Sequence, residues 1–142
     1  MDQYESFCSQ SFVVDGHPET KGSAKAFNVK GRCIITNDNT KCKKWQMLVS
    51  AHALSEGIKK ISSAHVSMVF EFSIPQSAQK KRSETTPHTQ KPDIDKLIRP
   101  ILDALTGIAY DDDSAVVSVS AEKKWSKFDK VKISIFDLTH SR

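Results

Sequence analysis

Two groups of carboxylates lie close enough in the chain to act as one site. Asp93 and Asp95 form an Asp-x-Asp directly after Pro92, and Asp111, Asp112 and Asp113 form a second knot before an apolar alternating run. Like charges gathered in one place repel and raise one another's pKa, and a divalent cation relieves that repulsion. Mg²⁺ takes a few carboxylate oxygens and keeps several waters, which leaves room for a phosphate. A metal so held lowers the pKa of a bound water and stabilises charge on a leaving oxygen, as phosphodiester hydrolysis requires. The same residues also suit plainer roles. Asp93 fits a helix N-cap, Asp95 a first-turn position favoured by the helix dipole, and Asp111 to Asp113 a solvated turn before a strand.

The element between the two groups must set their spacing. Leu97, Ile98, Ile101, Leu102 and Leu105 recur at helical intervals, and Gly107 is placed to stop the helix. Asp103 falls on its polar side. Pro100 lies inside this stretch, where it either kinks the helix or fixes its first turn.

The segment 91–124 resembles the signature of the RusA family of Holliday junction resolvases. The matching residues are Pro92, Asp93, Asp95, Lys96, Leu97, Arg99, Asp103, Ala104 and Leu105, then Asp112, Asp113, Val116 and Lys123. The resemblance implies that Asp93, Asp95 and Asp113 are the catalytic metal-binding set. Asp112 either assists or shapes the turn. It further implies that Arg99 or Lys96 steadies the scissile phosphate, that the cofactor is Mg²⁺ with Mn²⁺ as a substitute, and that the protein is a homodimer acting on four-way or branched DNA. The chain departs from the pattern in three places. Lys96 stands where many relatives carry Asn, Arg99 where they carry Lys, and Ala115 where they carry Gln. Arg keeps the charge of Lys but not its compact ammonium. Nearer the N-terminus, Gly16, Pro18, Lys21, Gly22 and Ser23 match a further family pattern.

Composition is compatible with this reading. A chain of 142 residues suits one domain, and 38% hydrophobic with 27% charged residues is ordinary for a globular protein. No apolar run reaches membrane-spanning length, and the N-terminus has no apolar signal-like core, so a cytoplasmic protein without a membrane partner is expected. Cys8, Cys33 and Cys42 are scattered, which points to free thiols, and the five histidines share no zinc-ligand spacing. Net charge is +4 and the pI is near 9.0. Because acids concentrate at the proposed site, bases are in excess elsewhere, and Lys21, Lys25, Lys80, Lys81, Arg82, Lys91 and Lys123 are the expected DNA contacts.

The remaining elements follow from periodicity and turn residues. We expect a strand over 11–16 and a hairpin over 24–36 turning at Lys30-Gly31. A helix is expected over about 39–55, with Trp45 in the core and Gly57 past its end. Residues 64–74 alternate as a half-buried strand, with Val66, Met68, Phe70 and Phe72 on one face. Segment 75–92 loses its apolar residues and reads as a structureless, flexible basic loop that orders on DNA. Strands over 115–125 and 130–137 follow, joined by a hairpin turn at 126–129, and the tail after Leu138 is short and polar. The order predicts a single α+β domain, a mixed β-sheet with two main helices. Two other functions compete with resolvase activity: a nuclease for other branched DNA, and a binding module whose acids have lost catalysis. A third alternative is a structural protein with capped helices and no site.

Overall fold

The computed structural model describes residues 3–21, 25–36 and 40–141, with main chain alone over 25–29, 33–36 and 140–141. The elements are β1 (Phe7–Asp15), β2 (Lys25–Val29), β3 (Arg32–Thr36), α1 (Thr40–Ser55), β4 (Ala64–Ser73), α2 (Ile94–Leu105), β5 (Val116–Ser126) and β6 (Lys130–Ser141). Short 3₁₀ turns lie at Gln76–Ala78 and Asp113–Ala115. Four strands form one mixed sheet in the order β1-β6-β4-β5, and β2-β3 form a separate hairpin. Only β4 and β5 are parallel; β6 is antiparallel to both of its neighbours. Parallel neighbours need a crossover connection, and the segment 74–115, with α2 inside it, is that crossover. This is the expected α+β architecture.

The core lies between the sheet and the two helices. Phe12 and Val14 of β1, Val66, Met68, Phe70 and Phe72 of β4, and Val131, Ile133 and Ile135 of β6 meet Trp45 and Val49 of α1 and Leu97, Ile101 and Leu105 of α2. Gly16 lets α1 close on the end of β1, since a Cβ there would stand 3.1 Å from the Trp45 ring. The β2-β3 turn falls at Lys30 (φ 51°) and Gly31 (φ 80°), both in the left-handed region that a two-residue hairpin of this hand needs.

Several expectations need correction. Residues 126–129 do not form a hairpin turn, because β4 lies between β5 and β6. The connection passes over the end of β4, where the Ser73 N–H donates to Asp129 Oδ1 at 2.6 Å. Strand β4 is more than half-buried. His65 and Glu71 on its second face are also inaccessible, because Tyr4 stacks on His65 at 3.6 Å and Lys132 pairs with Glu71 at 3.5 Å. Strands β1 and β6 run further than their polar ends suggest, since the two ends pair with each other across a bulge at Phe7/Cys8. Segment 75–92 is not structureless. Ala78 and His88 are buried, His88 stacks on Trp125 at 3.8 Å, and Pro87 bridges to Lys124. The anchoring comes from His88, whose ring also meets Phe72 edge-on at 5.1 Å.

Candidate active site on the second helix

Asp93 holds the N-cap position of α2, yet its carboxylate makes no capping hydrogen bond. It turns instead to Lys91, whose ammonium donates to both of its oxygens at 3.0 and 3.2 Å, with Lys96 Nζ at 3.7 Å. The Lys91 hydrogen bond and charge, with a smaller share from Lys96, hold the Asp93 carboxyl below the usual aspartate range. Asp95 sits exposed in the first turn, and no ion pair of Asp95 is seen among the described residues.

Asp95, Arg99 and Asp103 then recur every fourth residue, so they share one stripe of α2. The second acidic knot is brought against this stripe by the turn that ends the helix. Gly107 (φ 86°) reverses the chain, and its N–H bonds the Tyr110 carbonyl at 2.7 Å. The buried Tyr110 hydroxyl donates back to the Leu102 carbonyl at 2.6 Å. Burial, with Asp113 and Asp103 nearby, pushes the Tyr110 pKa well up, so it stays a neutral donor. Pinned this way, Asp113 accepts from Arg99 at 2.7 Å. Arg99 also lies 3.6 Å from Asp103, and Lys21 reaches Asp103 at 3.4 Å. Its hydrogen-bonding interaction with the neighbouring Asp113, and hydrogen bonds from Ser114, keep the Asp112 carboxyl below its usual range. Asp111 points away, to Lys60 at 2.9 Å. Arg99, Leu102, Asp113 and residues 116–119 of β5 line an open cleft of about 350 Å³.

The donors here are exposed carboxylates with no thiolate among them, a set that suits a hard divalent cation. Among the described residues, however, no group of three or more His, Cys, Asp or Glu side chains surrounds a shared metal position. Bases hold the acids instead. The side chains of Lys91 and Arg99 are 83% and 49% exposed, so a cation would displace weak, solvent-screened pairs. By donor chemistry the residues fit a metal; the present arrangement is the charge-paired one.

The expected DNA contacts divide. Lys80 and Lys81 are exposed on the segment after β4, with no ion pair among the described residues, while the Arg82 guanidinium lies over the Trp125 ring at 5.1 Å. Lys21 and Lys91 are engaged with Asp103 and Asp93. Lys123 is half-buried and clamps the lead-in to α2, donating to the Gln90 carbonyl at 2.6 Å and the Pro92 carbonyl at 2.8 Å. The side chain of Lys25 lies outside the described residues, as do Gly22, Ser23 and Asn39, where the first helix is expected to begin. Sequence reasoning missed two linking groups. Asp103 joins Lys21 to Arg99, and the four-residue repeat with Arg99 was a readable sign of it. The Lys96 carbonyl accepts the Lys21 N–H at 3.2 Å, and Pro100 four residues later was the readable sign of that.

Two comparisons bear on this arrangement. A sequence model of the family described as Endodeoxyribonuclease RusA matches residues 15–136. A curated relative, "Uncharacterized protein YqaN" of Bacillus subtilis (strain 168), is 27% identical over 137 residues, covering 90% of this chain and 96% of its own length. The match runs from the last residue of β1 into β6 and takes in the whole carboxylate stripe and its facing turn. The chain belongs to the RusA endodeoxyribonuclease family.

Proposed function

We propose that the protein is a Mg²⁺-dependent, structure-selective endodeoxyribonuclease that resolves Holliday junctions as a homodimer. What supports this most is the Asp95–Arg99–Asp103 stripe facing Asp113, with Asp93 at the N-cap position but not capping the helix. Asp93, Asp95 and Asp113 would hold the cation, with Asp112 beside them and Mn²⁺ as a substitute. A bound Mg²⁺ supplies Lewis-acid stabilisation of phosphate charge and an activated water.

The chain's own residues do the rest. Arg99 carries a fixed positive charge to the cleft beside Asp113 and, freed from that carboxylate, can fork onto two phosphate oxygens. Lys96 offers a second cation three residues before Arg99, with its ammonium 3.7 Å from Asp93. Lys123 fixes the backbone just before Asp93, so the first carboxylate is presented by a held loop. Lys80, Lys81 and Arg82 add positive charge on the same crossover, suited to the phosphates flanking the site. A C2 dimer suits the substrate, because a four-way junction has near two-fold symmetry and two equal sites would nick it in pairs.

Mg²⁺ titration followed by thermal unfolding tests the metal part on its own. A ligand that binds only the folded state raises the melting temperature by linkage. The expected result is a rise that saturates with Mg²⁺, is reversed by EDTA and is lost in Asp95→Asn. No Mg²⁺-dependent shift in the wild-type protein, at concentrations up to tens of millimolar, would contradict the metal assignment.

A further inference from the structure

Pro100 is the seventh residue of α2, buried against the core, and it is an unusual residue to find mid-helix. Lacking an N–H, it leaves the carbonyl four residues earlier, that of Lys96, without its helical donor. In this fold the vacancy is filled from outside the helix: the Lys21 N–H donates to the Lys96 carbonyl at 3.2 Å. The same residue then sends its ammonium to Asp103 Oδ2 at 3.4 Å, while Arg99 lies 3.6 Å from the other oxygen, Oδ1. Charges therefore alternate along a continuous row, from Lys21 to Asp103 to Arg99 to Asp113.

We infer that Pro100 and Lys21 are positioning residues: the proline turns the α2 backbone into a dock for the loop after β1, and the docked lysine sets Arg99 against the catalytic turn. The loop reaches this dock from a fixed start. The Gly16 N–H bonds the Asp129 carbonyl at 3.1 Å, and the His17 ring pairs with the Asp129 carboxylate at 3.0 Å. Pro18 is buried, so the span between the two anchors is short and stiff. With Lys21 neutralising Asp103 on one oxygen, Arg99 is not drawn wholly to Asp103 along its own helix. It stays in hydrogen-bond contact with Asp113 at 2.7 Å. A loop distant in sequence from both acidic groups thus helps to set Arg99. The catalytic consequence rests on the proposed nuclease reading; the docking does not.

The test uses two variants of the full chain. Pro100→Ala restores a helical N–H that competes for the Lys96 carbonyl. Amide exchange at residue 21 should become faster by about three- to tenfold, the share of one hydrogen bond. Helix α2 stays intact, because Ala is a better helix former than Pro. Lys21→Met keeps the backbone donor and removes the ammonium. It should leave residue-21 exchange at the wild-type rate, yet lower kcat for branched-DNA nicking with KM little changed. An unchanged exchange rate at residue 21 in Pro100→Ala would overturn the docking. Wild-type kcat in Lys21→Met would overturn the role assigned to its ammonium. If the wild-type protein nicks no branched DNA, the nuclease reading fails, and the exchange measurement still decides the docking.

Discussion

Lys123 offers the sharpest discrimination between holding the site and holding DNA. Its ammonium donates to two main-chain carbonyls, Gln90 at 2.6 Å and Pro92 at 2.8 Å, on either side of Lys91 and just before Asp93. A hydrogen bond to a charged group contributes about 1.5–3 kcal/mol when shielded. Gln90 is exposed, so its carbonyl returns to water at little cost, whereas Pro92 and Lys123 are half-buried. Lys123→Met keeps the packing of the aliphatic stem and removes both bonds, so the loss should be about 2 kcal/mol. For a domain of this size that lowers the melting temperature by roughly 6 °C. The assay pairs thermal unfolding with junction binding across a salt series. A clamp predicts lower stability, reduced cleavage through a displaced Asp93, and an unchanged slope of log affinity against log salt. A direct phosphate contact predicts the reverse, a slope smaller by about one with unchanged stability. That second pattern would refute the reasoning.

Two further predictions follow from other parts of the fold. Burial opposes ionisation of Asp129, but hydrogen bonds from Ser73 and His17 outweigh it and hold its carboxyl below the ordinary value of 3.8. Its contribution is therefore present above pH about 4 and lost as pH falls through the lower folded pKa. Asp129→Asn should cost about 1–2 kcal/mol at neutral pH, with the gap to wild type closing in urea titrations below pH 3.8; a gap that stays constant into acid would contradict this. Replacing Lys80, Lys81 and Arg82 by Glu should weaken junction binding and flatten its salt dependence, with cleavage of saturated substrate less affected. Unchanged affinity would remove this segment from the DNA interface.

The sequence showed most where the pattern was local. The apolar positions from Leu97 to Leu105 have a helical period, Gly107 marks where that helix can end and Asp93 fits its N-cap, so α2 was legible, although Pro100 left open whether it sits mid-helix or in the first turn. The hairpin at Lys30-Gly31 was legible for the same reason, since so few residue pairs adopt two left-handed conformations in a row. What stayed hidden depends on partners far apart in the chain. Nothing near His88 says that it will stack on Trp125, and the loss of apolar residues around it reads as a loose loop. The strand order hid the fate of 126–129: a short polar link between two strands reads as a hairpin unless a third strand is known to lie between them. At the site, residue types identified the acids. The chain of bases threaded between them, from Lys21 through Arg99, needed the tertiary structure. Pro100 was visible as an anomaly, but only the fold shows what uses the carbonyl it frees.

Everything proposed for the site rests on whether these carboxylates cut branched DNA. The most direct measurement gives the purified protein a labelled immobile four-way junction and a linear duplex of the same sequence, each with Mg²⁺ and with EDTA, beside Asp95→Asn. The expected result is paired nicks in the junction alone, dependent on Mg²⁺ and abolished in the variant. Tight junction binding without cleavage would contradict it in favour of a binding module, and neither binding nor cleavage would mean that the acids serve only the helix and its turn.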